Sequence, residues 1–261
     1  MAIAFSRKTV FLDTNALVRL FWFWEACNIT GLSLDSVDSW EELRTSLETN
    51  TEIPLGIFIR RDFEDIESGR KFFVRLNDAK ERCDYFSCQI CRSELHHVIL
   101  TSKATESLIR LRVSQSLRNK RPLLIYRTAL DRADYEQIDK QISDFFATLA
   151  DPFEIKIPNI EDFQMGDSMT ITLEVAKAFW SRVLIETMDA FIYGAAIESR
   201  ADYFVTTDTP FLLAINGFRS SSGEWAHVSQ SLRNELLRLG ALKESEEFSF
   251  PEAVKPDHPL N

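Results

Sequence analysis

Two short apolar runs, each closely followed by an acidic residue, constrain the fold of this chain most strongly. Thr9 to Leu12 combines β-branched, aromatic and aliphatic residues, and Asp13 follows it directly. Asp202 to Thr206 is a second run of this kind, and Asp208 lies two residues beyond it. Apolar runs of this length predict buried strands. Because helical patterns lie between them, the sequence predicts an α/β fold with a parallel central sheet.

The remaining elements follow from hydrophobic periodicity and from helix-ending residues. We predict helices over 16–26, 85–101, 104–117, 135–149, 168–180, 184–199 and 225–239, and strands over 123–126 and 153–157. Residues 53–59 fit either a strand or a loop, and the acidic stretch 35–52 predicts a solvated face. No internal repeat or linker is visible, which favours one domain over 1–261 with a loose, proline-rich tail at 251–261.

The charge balance bears on the partners of the protein. The chain has 40 acidic and 30 basic residues, so its formal net charge is −10. A basic face covering the whole fold is therefore not expected, but residues 103–127 form a local basic stretch. Within it we predict that Arg118, Lys120 and Arg121, beside the helix-ending Pro122, bind nucleic-acid phosphates. A solvated helix is the alternative interpretation of this stretch.

The sequence shows neither a membrane-spanning stretch nor a disulfide framework, and both observations bear on the cellular location. No stretch reaches the ~20 apolar residues that a membrane helix needs, so we expect no membrane association. Four cysteines in a chain of this length do not form a disulfide framework, which favours a reducing, cytoplasmic setting.

Several acids fall where ligands bind in α/β proteins. Asp13 and Asp208 both follow strands, and ligands of parallel sheets bind beyond the carboxyl ends of the strands. Each acid could instead cap the helix that follows it. Asp189 shares a helix face with Glu186 among small apolar residues, where an acid needs either a partner or a cation. Asp189 is therefore a structural acid or a metal ligand.

Four segments together resemble the PIN-domain nucleases. Val10 to Asn15 resembles the opening motif of that family, and Asp189 to Ala196 resembles its third motif. Ala201 to Phe211 resembles the strand and the fourth acidic position that follow. Ser93 to Leu95 fits the intervening glutamate motif, and this short match is the least specific.

The resemblance implies a three-layer α/β/α fold with a parallel central sheet, and divalent-metal phosphodiesterase chemistry, most often on RNA. It implies Asp13, Glu94, Asp189 and Asp208 as the catalytic acids, with Asp13, Asp189 and Asp208 as ligands of Mg²⁺ or Mn²⁺. Asn15 and Thr206 would orient this cluster. The spacing departs from compact family members, so helical insertions are expected at about 27–82 and 102–165, and Glu186 is the substitute for Glu94.

A cluster of cysteines and histidines raises a second metal hypothesis. Cys83, Cys88 and Cys91 precede His96 and His97 at spacings that zinc sites can use. Apolar neighbours favour buried thiols instead, so we expect no metal there. The aromatic run Phe21 to Trp24 fits core or dimer packing better than base stacking.

The leading hypothesis is a metal-dependent endoribonuclease, of the kind found as VapC-type toxins. An RNA substrate, an antitoxin protein and a homodimer are the partners to which this hypothesis leads. Two alternatives stay open: a catalytically silent PIN-like module that binds RNA or protein, and a PIN-like nuclease that acts on DNA. Phosphate-binding loops, dinucleotide motifs and serine-hydrolase motifs do not occur in the sequence.

Overall fold

A computed structural model describes the structure of residues 7–36, 39–50, 60–116, 129–157, 176–177, 186–219, 226–238, 242, 244 and 249–260. Within these residues the chain contains a parallel four-stranded sheet and eight α-helices, together with a 3-10 turn at Leu34–Ser36. The predicted α/β class with a parallel sheet is therefore confirmed.

The four strands are separated along the chain by one or more helices. The strands are β1 (Lys8–Leu12), β2 (Cys83–Phe86), β3 (Tyr203–Val205) and β4 (Glu252–Val254). The helices are α1 (Thr14–Thr30), α2 (Trp40–Asn50), α3 (Arg60–Ala79), α4 (Gln89–Arg110), α5 (Arg132–Phe153), α6 (Thr187–Glu198), α7 (Thr209–Arg219) and α8 (Ala226–Arg238). Among the described residues no helix is long and apolar enough to cross a membrane.

The sheet has the strand order β2-β1-β3-β4, and every pairing is parallel. Phe11 is the central residue, since it lies opposite Phe86 of β2 and Phe204 of β3. The side chains of Val10, Phe11 and Leu12 are at most 1% exposed. Continuous burial of this kind is typical of parallel strands that are covered on both faces, and it explains why the strand reads as an unbroken apolar run.

Strand β2 was not expected from the sequence, which predicted a helix over 85–101 and another over 104–117. Instead, Cys83–Phe86 pairs with β1, and a single helix, α4, runs from Gln89 to Arg110. Pairing with β1 decides this, because the backbone bonds of β2 come from a distant segment that local periodicity does not detect. Residues 153–157, predicted as a strand, contribute only an isolated parallel bridge between Lys156 and Phe86.

The carboxyl-terminal segment is also different from the prediction. The expected loose tail at 251–261 contains β4, which forms an edge of the sheet beside β3. Ala253, Val254 and Leu260 are at most 5% exposed, and the buried Tyr193 hydroxyl donates to the Pro251 carbonyl over 2.9 Å. These contacts order a segment whose proline content alone favours disorder.

Asn216 of α7 holds this edge strand in place. Its side-chain amide donates to the Ala253 carbonyl over 2.8 Å, and its side-chain oxygen accepts the Ala253 N–H over 3.1 Å. The Asn216 side chain therefore occupies the backbone N–H and C=O of Ala253, which another strand would otherwise need in order to pair at this point of the edge.

Replacing Asn216 with Ala is expected to loosen β4. The change leaves the N–H and C=O of Ala253 without these partners, which costs ~1–3 kcal/mol for buried groups. Hydrogen exchange at 252–254 should speed up while exchange in β1 stays slow. Unchanged exchange at Ala253 would contradict the role assigned to Asn216.

The chain divides into two compact units. The first contains the sheet and comprises Met1–Leu17, Val74–Arg92 and Pro152–Asn261. The second comprises Val18–Phe73 and Ser93–Asp151. The three-layer arrangement and the expected boundaries of the insertions stay predictions.

The aromatic run of α1 forms part of the core of the second unit. Phe21 and Trp24 pack against Phe145 at ring-centroid distances of 5.3 and 5.7 Å, and Phe23 packs against Phe73 at 5.5 Å. Phe21, Phe23 and Trp24 are at most 6% exposed. These three rings are therefore buried in the core, as the sequence predicted, and are not exposed for stacking on nucleic-acid bases.

Candidate active site

The site lies in the first unit, where the connections from the sheet change direction. From β1 the chain continues to β2 on one side, whereas β3 lies on the other side of β1. In open parallel sheets this reversal leaves a crevice beyond the carboxyl ends of the two central strands, and ligands bind there. Asp13 follows β1 and Thr206 follows β3, so the chain places polar side chains at this position.

Asp13 is held rigidly at the end of β1. Its N–H donates to the Val205 carbonyl over 3.1 Å, which continues the pairing of β1 with β3. One carboxylate oxygen, Oδ1, accepts the N–H of Thr14 over 2.7 Å, and the other, Oδ2, accepts the Thr206 hydroxyl over 2.7 Å. The residue is 5% exposed. A buried carboxylate needs such donors, because an unpaired buried charge is costly.

Thr206 connects the two acidic positions. Its hydroxyl donates to Asp13 and accepts the N–H of Asp208 over 3.1 Å, and the residue is fully buried. Asp208 in turn accepts the Phe211 N–H at its Oδ1 over 2.9 Å, which is the helix-capping contact at the start of α7. The structure therefore brings Asp13 and Asp208 together through one hydroxyl, and Asp208 also has the capping role left open by the sequence.

Asp189 and Glu186 lie at the start of α6. Asp189 is half-buried in the first turn, where a negative charge is favourable beside the helix N-terminus. Glu186 is the exposed residue before the helix, and its side chain makes no capping hydrogen bond. The buried residues of α6 include Ala190 and Tyr193, and neither Asp189 nor Glu186 is among them.

The other predicted site residues are distributed as follows. Asn15 is exposed and donates from Nδ2 to Asp13 Oδ2 over 3.4 Å. Glu94 lies on α4, in the second unit, and is half-buried. The predicted phosphate-binding residues Arg118, Lys120 and Arg121 lie outside the described residues. Of the same basic stretch, Lys103 pairs with Glu25 over 2.6 Å.

Two residues that follow β2, Ser87 and Cys91, lie near the site and were not predicted to do so from the sequence. The buried Ser87 hydroxyl donates to the Leu12 carbonyl over 2.9 Å and thereby joins the ends of β2 and β1. Cys91 lies after Ser87, in the first turn of α4, and the Thr14 hydroxyl partly offsets the burial that raises the pKa of Cys91. The missed signal was strand β2 itself: once Phe11 lies opposite Phe86, the residues after both strands meet at the same edge.

The side chains at this edge fit a magnesium-type ion in part. Carboxylate and hydroxyl oxygens are the donors that such ions prefer, and Mg²⁺ keeps several waters while one or two carboxylates hold it. Asp13 and Asp208 meet this requirement. Among the described residues, however, no three Asp, Glu, His or Cys side chains are grouped closely enough to hold an ion.

Replacing Thr206 with Val is expected to destabilise the first unit. Valine has nearly the same shape but lacks the hydroxyl, so Asp13 loses a donor and the Asp208 N–H loses its acceptor. Loss of hydrogen-bond partners to buried groups costs ~1–3 kcal/mol, which urea denaturation measures. Thr206→Ser is the matched control, because it keeps the hydroxyl; a Ser variant as unstable as the Val variant would show that the methyl group, not the hydroxyl, matters.

The residues at this edge form a buried, oriented carboxylate, Asp13, which the Thr206 hydroxyl joins to the backbone of a second acidic residue, Asp208. This arrangement can bind a hard cation or a polar ligand at the end of the sheet. Compared with protein-family models, curated proteins and solved structures, the chain matches none.

Proposed function

We propose that this protein is a divalent-metal-dependent endoribonuclease that hydrolyses phosphodiester bonds of RNA. The observation that carries the proposal is the hydrogen-bonded series Asp13, Thr206, Asp208 at the carboxyl ends of β1 and β3. The position is the one at which parallel sheets bind ligands. The resemblance of the surrounding sequence to PIN-domain nucleases supplies the reaction type.

In this proposal Asp13 and Asp208 hold Mg²⁺ or Mn²⁺. When bound, such an ion lowers the pKa of a coordinated water and neutralises charge on the phosphate. Asp13 gives the site its position, because backbone pairing with Val205 and the bond from Thr206 leave its carboxylate little freedom. A carboxylate held in advance in this way does not need to reorganise when the substrate binds.

Thr206 and Asn15 have supporting roles in the proposal. The Thr206 hydroxyl orients the Asp13 carboxylate and accepts the backbone N–H of Asp208, and the exposed Asn15 donates to the same Asp13 oxygen. Asp189, half-buried in the first turn of α6, and Glu186 just before that helix do not form a group of three metal ligands with Asp13 and Asp208 among the described residues, so neither acid is assigned a ligand role here.

The wider setting follows from the same proposal. RNA is the substrate, and the protein acts in the cytoplasm as a toxin. Its protein partners are an antitoxin, which binds it, and a second copy of the chain, with which it forms a homodimer. Arg118, Lys120 and Arg121 bind phosphates of the substrate.

A silent PIN-like module is the second candidate function. The observation that favours it is the absence, within the described part of the chain, of any group of three ligands for a metal ion. Such a module would bind RNA without cleaving it, since the acids would serve hydrogen bonding and helix capping alone.

Cleavage of end-labelled RNA and DNA by the purified full-length chain tests the proposal. We expect Mg²⁺- or Mn²⁺-dependent cleavage of single-stranded RNA that EDTA stops and that leaves DNA intact. Cleavage of DNA in place of RNA would assign the other nuclease class. Binding of RNA without cleavage at any metal concentration would favour the silent module and overturn the enzymatic proposal.

A further inference from the structure

Two cysteines lie at the amino-terminal end of α4, directly after the sheet. Cys88 precedes the first residue of the helix and Cys91 lies in its first turn, so the pair is separated by two residues. Their sulfur atoms are 3.5 Å apart. A disulfide bond requires ~2.05 Å between the sulfurs, so the two atoms are neighbours that must approach further for the bond to form.

The two thiols have different surroundings. Cys88 is half-buried, whereas Cys91 is fully buried. The pKa of Cys88 is lowered, chiefly because the Cys91 thiol can donate to its sulfur, with help from the N–H groups of Cys91 and Ile90; burial opposes this effect. The pKa of Cys91 is raised well above its usual value, first by burial and then by the neighbouring Cys88. The lowered pKa favours Cys88 over Cys91 as the more reactive thiol, because the thiolate is the reactive form.

We propose that Cys88 and Cys91 form a redox-active dithiol, which closes to an intramolecular disulfide by exchange with small-molecule disulfides. Three observations support this: the sulfurs are 3.5 Å apart, Cys88 is only half-buried, and Cys91 is fully buried beside it. Two cysteines separated by two residues, at a helix that follows a parallel strand, are the arrangement that disulfide exchange uses. The expectation from the sequence was only that this cluster holds no metal.

The exchange proceeds in two balanced steps. The Cys88 thiolate attacks one sulfur of the small disulfide, forms a mixed disulfide and releases the first small thiolate. Cys91 then loses its proton and attacks Cys88 Sγ, which forms the bond between Cys88 and Cys91 and releases the second small thiolate. The protein loses two protons and two electrons, and the small disulfide takes them up to become two thiols.

The remaining cysteines serve as internal comparisons. Cys27 lies in the core of the second unit, and burial raises its pKa to about 12. Cys83 is buried in β2, and burial likewise raises its pKa. Neither should react readily, since both the thiolate form and access to the sulfur are needed.

Proteolysis after equilibration with glutathione tests the proposal. Trypsin releases residues 83–92 as one peptide, bounded by Arg82 and Arg92, and this peptide contains Cys83, Cys88 and Cys91. The full-length protein is held in oxidised or reduced glutathione, then denatured in acid, alkylated in denaturant so that every free thiol reacts, and digested. We expect one alkylation, at Cys83, and a loss of two hydrogens in the oxidised sample, against three alkylations in the reduced sample. Fragment ions should be missing between Cys88 and Cys91 of the oxidised peptide.

Single variants test the order of attack. Cys91→Ala should retain glutathione on Cys88 as a stable mixed disulfide, whereas Cys88→Ala should leave Cys91 unmodified. In the wild type, limiting alkylating reagent should label Cys88 about tenfold or more faster than Cys83 or Cys27. The wild-type peptide decides the question even if a variant fails to fold.

Three alkylations in oxidised glutathione, or a disulfide that involves Cys83, would overturn the proposal. The test does not depend on nuclease activity. It reads the mass of one tryptic peptide and not the cleavage of RNA, so failure of the nuclease proposal and failure of the dithiol proposal give different results.

Discussion

Replacing Asp13 with asparagine is expected to remove metal-dependent RNA cleavage while the protein remains folded. Asparagine has the same shape, and its side-chain oxygen can still accept the Thr206 hydroxyl that Asp13 Oδ2 accepts over 2.7 Å. The variant loses the negative charge that would hold the cation. The rate should fall by more than the ~10- to 100-fold that loss of a group supporting a metal ligand costs. Initial rates on labelled RNA at saturating Mg²⁺ measure this.

Asp202 provides the matched control for this experiment. It flanks β3 at the opposite end, where one carboxylate oxygen accepts the Thr9 N–H over 2.8 Å and the other pairs with Lys8 over 2.8 Å. Asp202→Asn makes the same chemical change at the amino ends of the strands, so cleavage should be unchanged. Equal activity of wild type and Asp13→Asn, with both folded, would remove Asp13 from the catalytic site.

Replacing Gly69 with alanine is expected to cause the largest loss of stability. In the second unit, α3 approaches α1 at this residue so closely that an added Cβ would overlap the Arg19 carbonyl oxygen and lie 2.8 Å from its carbonyl carbon. Because both atoms belong to the backbone of a helix, a side-chain movement cannot relieve the overlap. The helices would have to separate, and we expect a cost of ~3 kcal/mol or more, at the upper end for overpacked cores. Urea denaturation followed by circular dichroism measures it.

Gly31 is the matched glycine for comparison. It follows α1 with φ of +71°, and an added Cβ would meet no atom within 4 Å. Gly31→Ala should therefore cost only the ~1–2 kcal/mol of the left-handed backbone conformation. If the two variants are equally stable, the close approach at Gly69 is not a constraint on packing.

Local sequence was sufficient for the elements whose pattern lies within a few residues. Thr9 to Leu12 and Asp202 to Thr206 read as buried strands because both faces of β1 and β3 are covered, which produces a continuous apolar run. Asp13 and Asp208 could be assigned to the edge of the sheet because each lies within two residues of the end of a predicted strand. The predicted helices at 225–239 and 184–199 correspond to α8 and α6, whose ends shift by one to three residues.

Tertiary pairing decided what local pattern could not. Strand β2 has only four residues and lies beside a long helical pattern, and it exists because β1 supplies its partner groups. Strand β4 forms in a proline-rich tail because β3 and the Asn216 side chain satisfy its backbone.

The same division applies to the candidate site. The sequence alone determined which carboxylates follow strands, since that depends on neighbouring residues. Only the tertiary structure decided that the Thr206 hydroxyl joins Asp13 to Asp208, and that Cys88 and Cys91 reach the same edge of the sheet. Hydrogen bonds between residues 193 positions apart arise from the order of the strands, which no local pattern of residues encodes.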